Sequence, residues 1–294
     1  MRRRSFVING VVAALVLAGA ACRPESTPRS GRRPEFAAGS YMAQIQDKGK
    51  VVIGVKYDIP RFGFLNPATG KPEGFDVDLG KAIAERLGVQ AEFIEAISTN
   101  RIPFLQEDKA DLIISTMTIN EERRQQIDFS TVYYVARQRL LARKGSRVRD
   151  VASLDAQKAE VCSAKGSTSA QNIAAAAPNA PLRLLDGYAQ CFQLLQNDQV
   201  QAVFTDDVIL TGLLSRDRKN FKIVGDPVTV EPYGVGMKKG RPEFVAFVDD
   251  SIREIKRDGD WVKLYDRWVK PLTGESAEPP PDEVPFSGPS LKPV

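Results

Sequence analysis

The stretch Ala110-Asp-Leu-Ile-Ile-Ser-Thr-Met-Thr-Ile-Asn-Glu-Glu-Arg-Arg-Gln-Gln-Ile-Asp-Phe-Ser130 decides the reading of this chain. Leu112 to Ile114 is a short apolar run, the pattern of a buried strand. Ser115, Thr116 and Thr118 follow, and the chain then opens a helix carrying Arg123 and Arg124. A strand end that presents hydroxyls and backbone N–H groups, with an arginine within a turn, suits the grip of a small carboxylate. The guanidinium is a permanently charged two-pronged fork, and hydroxyls fill the remaining lone pairs. The same spacing also fits a plain strand-to-helix turn with solvated arginines.

At 294 residues, 43% apolar and 27% charged, the chain is long enough for two domains of ordinary globular composition. It contains no histidine. That removes Ser-His-Asp hydrolysis, Cys-His nucleophiles and the commonest zinc ligand. No metal or cofactor is expected. The net charge of +4 is local: residues 1–35 hold seven arginines against Glu25 and Glu35, so the remainder sums to −1. A nearly neutral body gives no nucleic-acid surface.

Arg2-Arg3-Arg4 followed by the apolar run Phe6 to Leu17 reads as an export signal, residues 1–21, too short to span a bilayer. The run Leu17-Ala-Gly-Ala-Ala-Cys22 resembles a bacterial lipoprotein box, which implies lipidation of Cys22 and anchoring at the outer face of the cytoplasmic membrane or in the periplasm. Cleavage near Ala20 is the other outcome. With Cys22 lipidated, Cys162 and Cys191 remain as a pair in an oxidising compartment. A bridge between them closes a loop of roughly 30 residues and stabilises by about 3–4 kcal/mol; two buried free thiols are the alternative.

Residues 22–43, rich in Pro, Ser, Gly and Arg, read as a flexible tether, and 272–294 as a Pro-rich, acidic, disordered tail. Between them strands and helices alternate, so the class is α/β. The pattern predicts a strand at Val51 to Tyr57, an amphipathic helix at Phe75 to Leu87 with Gly88 as its cap, and strands at Ala91 to Ile94 and Leu112 to Ser115. A second set has strands near Cys162, Leu182 to Leu185 and Val200 to Thr205, with helices at Ser167 to Ala176 and Tyr188 to Gln196. Two lobes follow, 44–135 plus 234–271 and 136–233, linked by crossings near Tyr134 to Gln138 and Val230 to Tyr233. Ligands of open α/β sheets sit beyond the carboxyl ends of strands, so two facing lobes share one cleft.

Taken together, Asp111-Leu-Ile-Ile-Ser-Thr-Met-Thr-Ile-Asn-Glu-Glu-Arg123, Gly74-Phe-Asp-Val-Asp-Leu79 and Ala202-Val-Phe-Thr-Asp206 resemble the polar amino-acid substrate-binding proteins of ABC importers. The resemblance covers roughly residues 44–270. It implies the two-lobe, type II periplasmic-binding fold, a monomer, and a permease partner in the membrane. It implies that Arg123 binds a ligand α-carboxylate, with Thr116, Thr118 and the loop Gly166-Ser167-Thr168 beside it, and that Asp206 receives the α-ammonium. A helix N-cap is the plainer role for Asp206. Ser98 and Arg101 match the segment that holds a distal carboxylate in glutamate- and aspartate-binding members, and Lys56 and Tyr188 stand where those members place a basic and a polar contact. A second positive focus implies an acidic amino acid.

Asp58 and Arg61 are secondary candidates: Arg61 falls about where glutamine- and basic-amino-acid-binding members stack an aromatic, and Asp58 keeps a basic ligand in view. A sensor that signals to a partner uses the same clamp. An enzyme of the cyclohexadienyl dehydratase kind needs a spare acid in the cleft, for which Asp58 is the obvious residue. Lobe closure upon the ligand is the expected mechanism.

Overall fold

The computed structural model describes residues 34–288. The predicted export signal, Cys22 and part of the predicted tether lie outside the described residues, as do positions 289–294.

Two five-stranded sheets are built on one plan. In the first, Lys50–Val55 lies between Gln90–Glu95 and Leu112–Ile113, all parallel. Gly236–Met237 follows antiparallel, and Asp128–Phe129 closes the edge. In the second, Val161–Ala164 lies between Leu182–Leu185 and Ala202–Asp206, again parallel. Gln138–Arg143 follows antiparallel, and Phe221–Val224 closes the edge. The antiparallel strands share an origin, for each continues the segment that carries the chain between lobes. Those segments, Tyr134–Ala136 and Glu231–Tyr233, pair with each other, Glu231 opposite Ala136 and Tyr233 opposite Tyr134. The chain therefore leaves one lobe and returns along a two-stranded ribbon, and the expected two-lobe α/β architecture is present.

Helices cover the sheets with apolar stripes. Phe75–Leu87, whose ends coincide with those predicted, buries Phe75, Val77, Leu79, Ile83 and Leu87. It begins at Gly74, φ +132°, where a Cβ would fall 2.2 Å from the Phe62 carbonyl oxygen; only glycine fits there. Around the ribbon Tyr134 stacks on Tyr233 with centroids 5.8 Å apart, and the Trp261 indole N–H donates to the Tyr133 carbonyl at 2.7 Å. Such rings stiffen the ribbon's surroundings while leaving the ribbon thin. Cys162 and Cys191 are joined in a disulfide that ties the strand Val161–Ala164 to the helix Tyr188–Gln196.

Three segments depart from the sequence reading. Residues 272–288, read as a disordered tail, run against the first lobe and the ribbon. Asp282 pairs with Arg253 at 2.7 Å and Lys256 at 2.9 Å, its carbonyl accepts the Val132 N–H, and Ser287 exchanges both backbone bonds with Val230. These partners are far away in sequence, and composition does not reveal them. Within the stretch read as a tether, Ser40 caps the helix Tyr41–Lys48, and Phe36 sits edge-on to Phe247 at 5.4 Å. A small sheet of Asp58–Ile59, Gly63–Asn66 and Lys71–Glu73 was not anticipated, because strands of two to four residues carry too few positions to show alternation.

Candidate ligand-binding site

Both sheets aim the carboxyl ends of their parallel strands at the space between the lobes, and the polar residues follow from that. Lys56 directly succeeds Lys50–Val55, Ser98 and Arg101 follow Gln90–Glu95, and Thr116 and Thr118 follow Leu112–Ile113. From the other lobe Ser167 and Thr168 follow Val161–Ala164, Tyr188 follows Leu182–Leu185, and Asp206 ends its own strand. With Arg123 these are the ten residues singled out from the sequence, and all ten line one small, nearly closed cavity. Ser169 and Ile209, which the sequence did not point to, line it too.

Three buried cations face this cavity. Lys56 is 2% exposed and donates to Ser98 Oγ at 3.1 Å, its ammonium lying 5.8 Å over the Tyr188 ring. Arg101 gives Nη1 to the Ser115 and Thr116 carbonyls at 3.0 and 3.3 Å. Arg123 gives Nη1 to the Thr118 carbonyl at 2.7 Å. None of the three meets a carboxylate within 4.0 Å among the described residues. Burial pushes Lys56 down to about 8 and lowers both arginines, Arg101 further because Arg123 is near. Unpaired charge in such a place is costly, and an anion relieves it.

The acids are differently placed. Asp206 heads the helix Asp207–Leu214 but makes no capping bond; Asp207 Oδ1 takes the Val208 N–H. Asp206 Oδ2 accepts the Tyr233 hydroxyl, and Asp206 Oδ1 is buried with no hydrogen-bond partner among the described residues. Burial raises its pKa. The N-cap role is thus left to backbone geometry, and a bare carboxylate oxygen remains at the cavity.

Two further acids were missed in the sequence. Asp76, fully buried, accepts the Thr116 N–H at 2.9 Å and the Tyr133 hydroxyl at 3.0 Å. It holds a strained turn: Thr116 has φ +44°, a left-handed conformation that β-branched residues avoid. Glu231, on the second crossing strand, takes Thr118 Oγ1 at 2.7 Å and Thr168 Oγ1 at 2.9 Å on Oε2, and Asn172 Nδ2 at 3.2 Å on Oε1. Burial first, and the Asp206 charge second, push Glu231 up to about 7; burial pushes Asp76 up to about 7. Asp76 was legible only as an acid in a first helical turn, and Glu231 only as part of a crossing.

Other predicted residues have framework contacts as well. Ser167 Oγ caps the helix Thr168–Ala176, accepting from the Ala170 N–H and donating to the Ala164 carbonyl. Its hydroxyl is committed, so what this loop offers is the amides of the opening turn. Asp58 accepts the Ala189 N–H at 3.2 Å, a carboxylate from one lobe at a helix start of the other. Arg61, φ +76°, is a turn residue whose carbonyl takes the Phe75 N–H. The lobes touch elsewhere too: a Cβ on Gly166, φ +75°, would fall 3.0 Å from Thr99 Cγ2.

Two lobes on a ribbon, closed over a polar cavity, define a cleft-type receptor for a small charged molecule. The chain belongs to the bacterial extracellular solute-binding proteins, family 3, which it matches over residues 51–271. It is 38% identical over 269 residues to the ABC transporter glutamine-binding protein GlnH of Bacillus subtilis (strain 168), spanning 90% of this chain and 96% of that protein. It is 30% identical over 245 residues to the glutamate/aspartate import solute-binding protein of Escherichia coli (strain K12), 80% of this chain and 81% of that one. Among solved structures an ancestral arginine-binding protein bound to arginine superposes with a TM-score of 0.71 at 35% identity, covering 75% of this chain and 98% of that one.

Proposed function

We propose that this chain is the extracytoplasmic amino-acid receptor of an ABC importer and that its ligand is an acidic amino acid, glutamate or aspartate. One observation carries the choice: Lys56, Arg101 and Arg123 are buried against one cavity without a carboxylate partner among the described residues, while the buried acids Asp76 and Glu231 are taken up by hydroxyl and amide donors. In this reading Arg123 and the amides opening the helix Thr168–Ala176 hold the α-carboxylate, and Asp206 takes the α-ammonium. Lys56, Ser98, Arg101 and Tyr188 hold the distal carboxylate. Closure of lobe 136–233 onto lobe 44–135 plus 234–271 captures the ligand and presents it to a permease, with Cys22 as the lipid anchor. The clamp is built for binding, and no turnover of prephenate or arogenate is expected.

Glutamine is the second reading, favoured by the identity to GlnH of Bacillus subtilis. A neutral amide leaves a cation beside it uncompensated, which weighs against it. A thermal-shift screen of the twenty amino acids separates the two, because a ligand stabilises the folded state by mass action. Glutamate or aspartate is expected to give the largest rise in melting temperature; a larger rise with glutamine or arginine overturns the assignment.

A further inference from the structure

Thr118 and Thr168 come from opposite lobes, and both hydroxyls end on the same oxygen, Glu231 Oε2. A hydroxyl has one hydrogen to give and two lone pairs to receive with. With Glu231 ionised, its carboxylate at 2.7 and 2.9 Å is the strongest acceptor that either threonine meets, so both hydrogens go to it. The neighbouring amides are turned consistently with the same polarity. Asn172 Nδ2 spends its two hydrogens on Gln138 Oε1 at 2.8 Å and Glu231 Oε1 at 3.2 Å. Gln138 must then present its Nε2, which donates to Thr168 Oγ1 at 3.2 Å and Ser169 Oγ at 3.0 Å. Thr168 therefore receives from Gln138 and passes its own hydrogen to Glu231.

What reaches the cavity at Thr118 is lone pair, not hydrogen. A hydroxyl so turned repels a carboxylate and accepts from an ammonium. The bare Asp206 Oδ1 lines the same cavity. We propose that Glu231 is a positioning residue: from the crossing strand it turns the Thr118 and Thr168 hydroxyls into acceptors, and so makes this part of the pocket selective for a protonated α-amine over a hydroxyl, oxo or unsubstituted α-carbon. It also bonds both lobes at once. The assignment rests on the amino-acid reading above, but not on which side chain the pocket holds.

The test is calorimetric titration of L-glutamate and L-glutamine into the unaltered protein, Glu231→Gln, Thr118→Val and the double variant. Glu231→Gln keeps the shape but brings an amide N–H against hydroxyl oxygens that now donate. Roughly tenfold weaker binding is expected for each single variant, as for a buried polar partner lost. The loss is expected to be equal for both ligands, and the double variant to bind no worse than Thr118→Val, because Glu231 acts through that hydroxyl. Unchanged affinity in either single variant, additive losses, or a change in the glutamate-to-glutamine ratio overturns the proposal and leaves the amino-acid reading standing. Failure of the unaltered protein to bind either ligand overturns both. Should Glu231→Gln not fold, Thr118→Val decides alone: it must show the tenfold loss, equal for the two ligands.

Discussion

Asp76 Oδ2 accepts the N–H of Thr116 at 2.9 Å, and Thr116 is the cavity residue whose backbone is left-handed, φ +44°. The acid opens a helix of the first lobe; the threonine ends its central motif. The pair explains how a strand end can turn sharply enough to bring Thr116 and Thr118 to one cavity. Burial of the same acid, against the pull of this bond, gives a pH signature. Asp76 lies at about 7 in the folded protein, against 3.8 ordinarily. A raised carboxylate favours the folded state below the unfolded value and loses that benefit as pH rises through the folded one. Asp76→Asn does not titrate, so its stability relative to the unaltered protein is expected to improve between pH 4 and pH 8. Chemical denaturation at several pH values measures this; a relative stability that falls with pH contradicts it.

Arg123 is the cation whose fork remains after one bond to the Thr118 carbonyl. Arg123→Ala is expected to weaken binding of every amino acid by roughly a hundredfold or more, as when one partner of a buried charge pair is removed. Arg123→Lys is expected to restore little, because an ammonium lacks the bidentate geometry. Calorimetry reads both. Full recovery by lysine would show that charge alone suffices.

Lys56 sits at about 8, held down mainly by burial. An acidic ligand stabilises the charged form and raises that value, so binding takes up a proton near pH 8. Glutamate affinity is therefore expected to fall as pH rises from 8 towards 10. Titrations at pH 8 in two buffers of different ionisation enthalpy measure the uptake directly. Lys56→Met should abolish it; proton release on binding would place the distal carboxylate elsewhere.

The disulfide between Cys162 and Cys191 closes a sequence separation of 29 residues. Its reduction is expected to lower the unfolding free energy by about 3 kcal/mol. Urea unfolding with and without reductant checks this, with a clear fall in the midpoint expected. An unchanged midpoint contradicts it.

Legibility in the sequence followed the physics. Lys56, Ser98, Thr116, Ser167 and Asp206 were readable because each stands at or just beyond the end of a strand, and in such sheets that place faces the cleft. The helices with apolar stripes, Phe75–Leu87 and Tyr188–Gln196, were readable to the residue. Glu231 was not, because its meaning comes from Thr118 and Thr168, which are 113 and 63 residues away. Nor was Asp76, whose role depends on a positive φ that no residue type announces at Thr116. The segment around Asp282 and Ser287 looked disordered because its partners Arg253, Lys256 and Val230 lie in other parts of the chain.

In the proposed site, unpaired buried cation, and not shape alone, selects the ligand. The ratio of the glutamine to the glutamate dissociation constant tests it most directly, measured by calorimetry at neutral pH in the unaltered protein and in Lys56→Met. A ratio above roughly ten is expected, falling by about tenfold when the ammonium is removed, the scale of one charge-assisted bond. Glutamine bound as tightly as glutamate by the unaltered protein, or a ratio indifferent to Lys56, would contradict it.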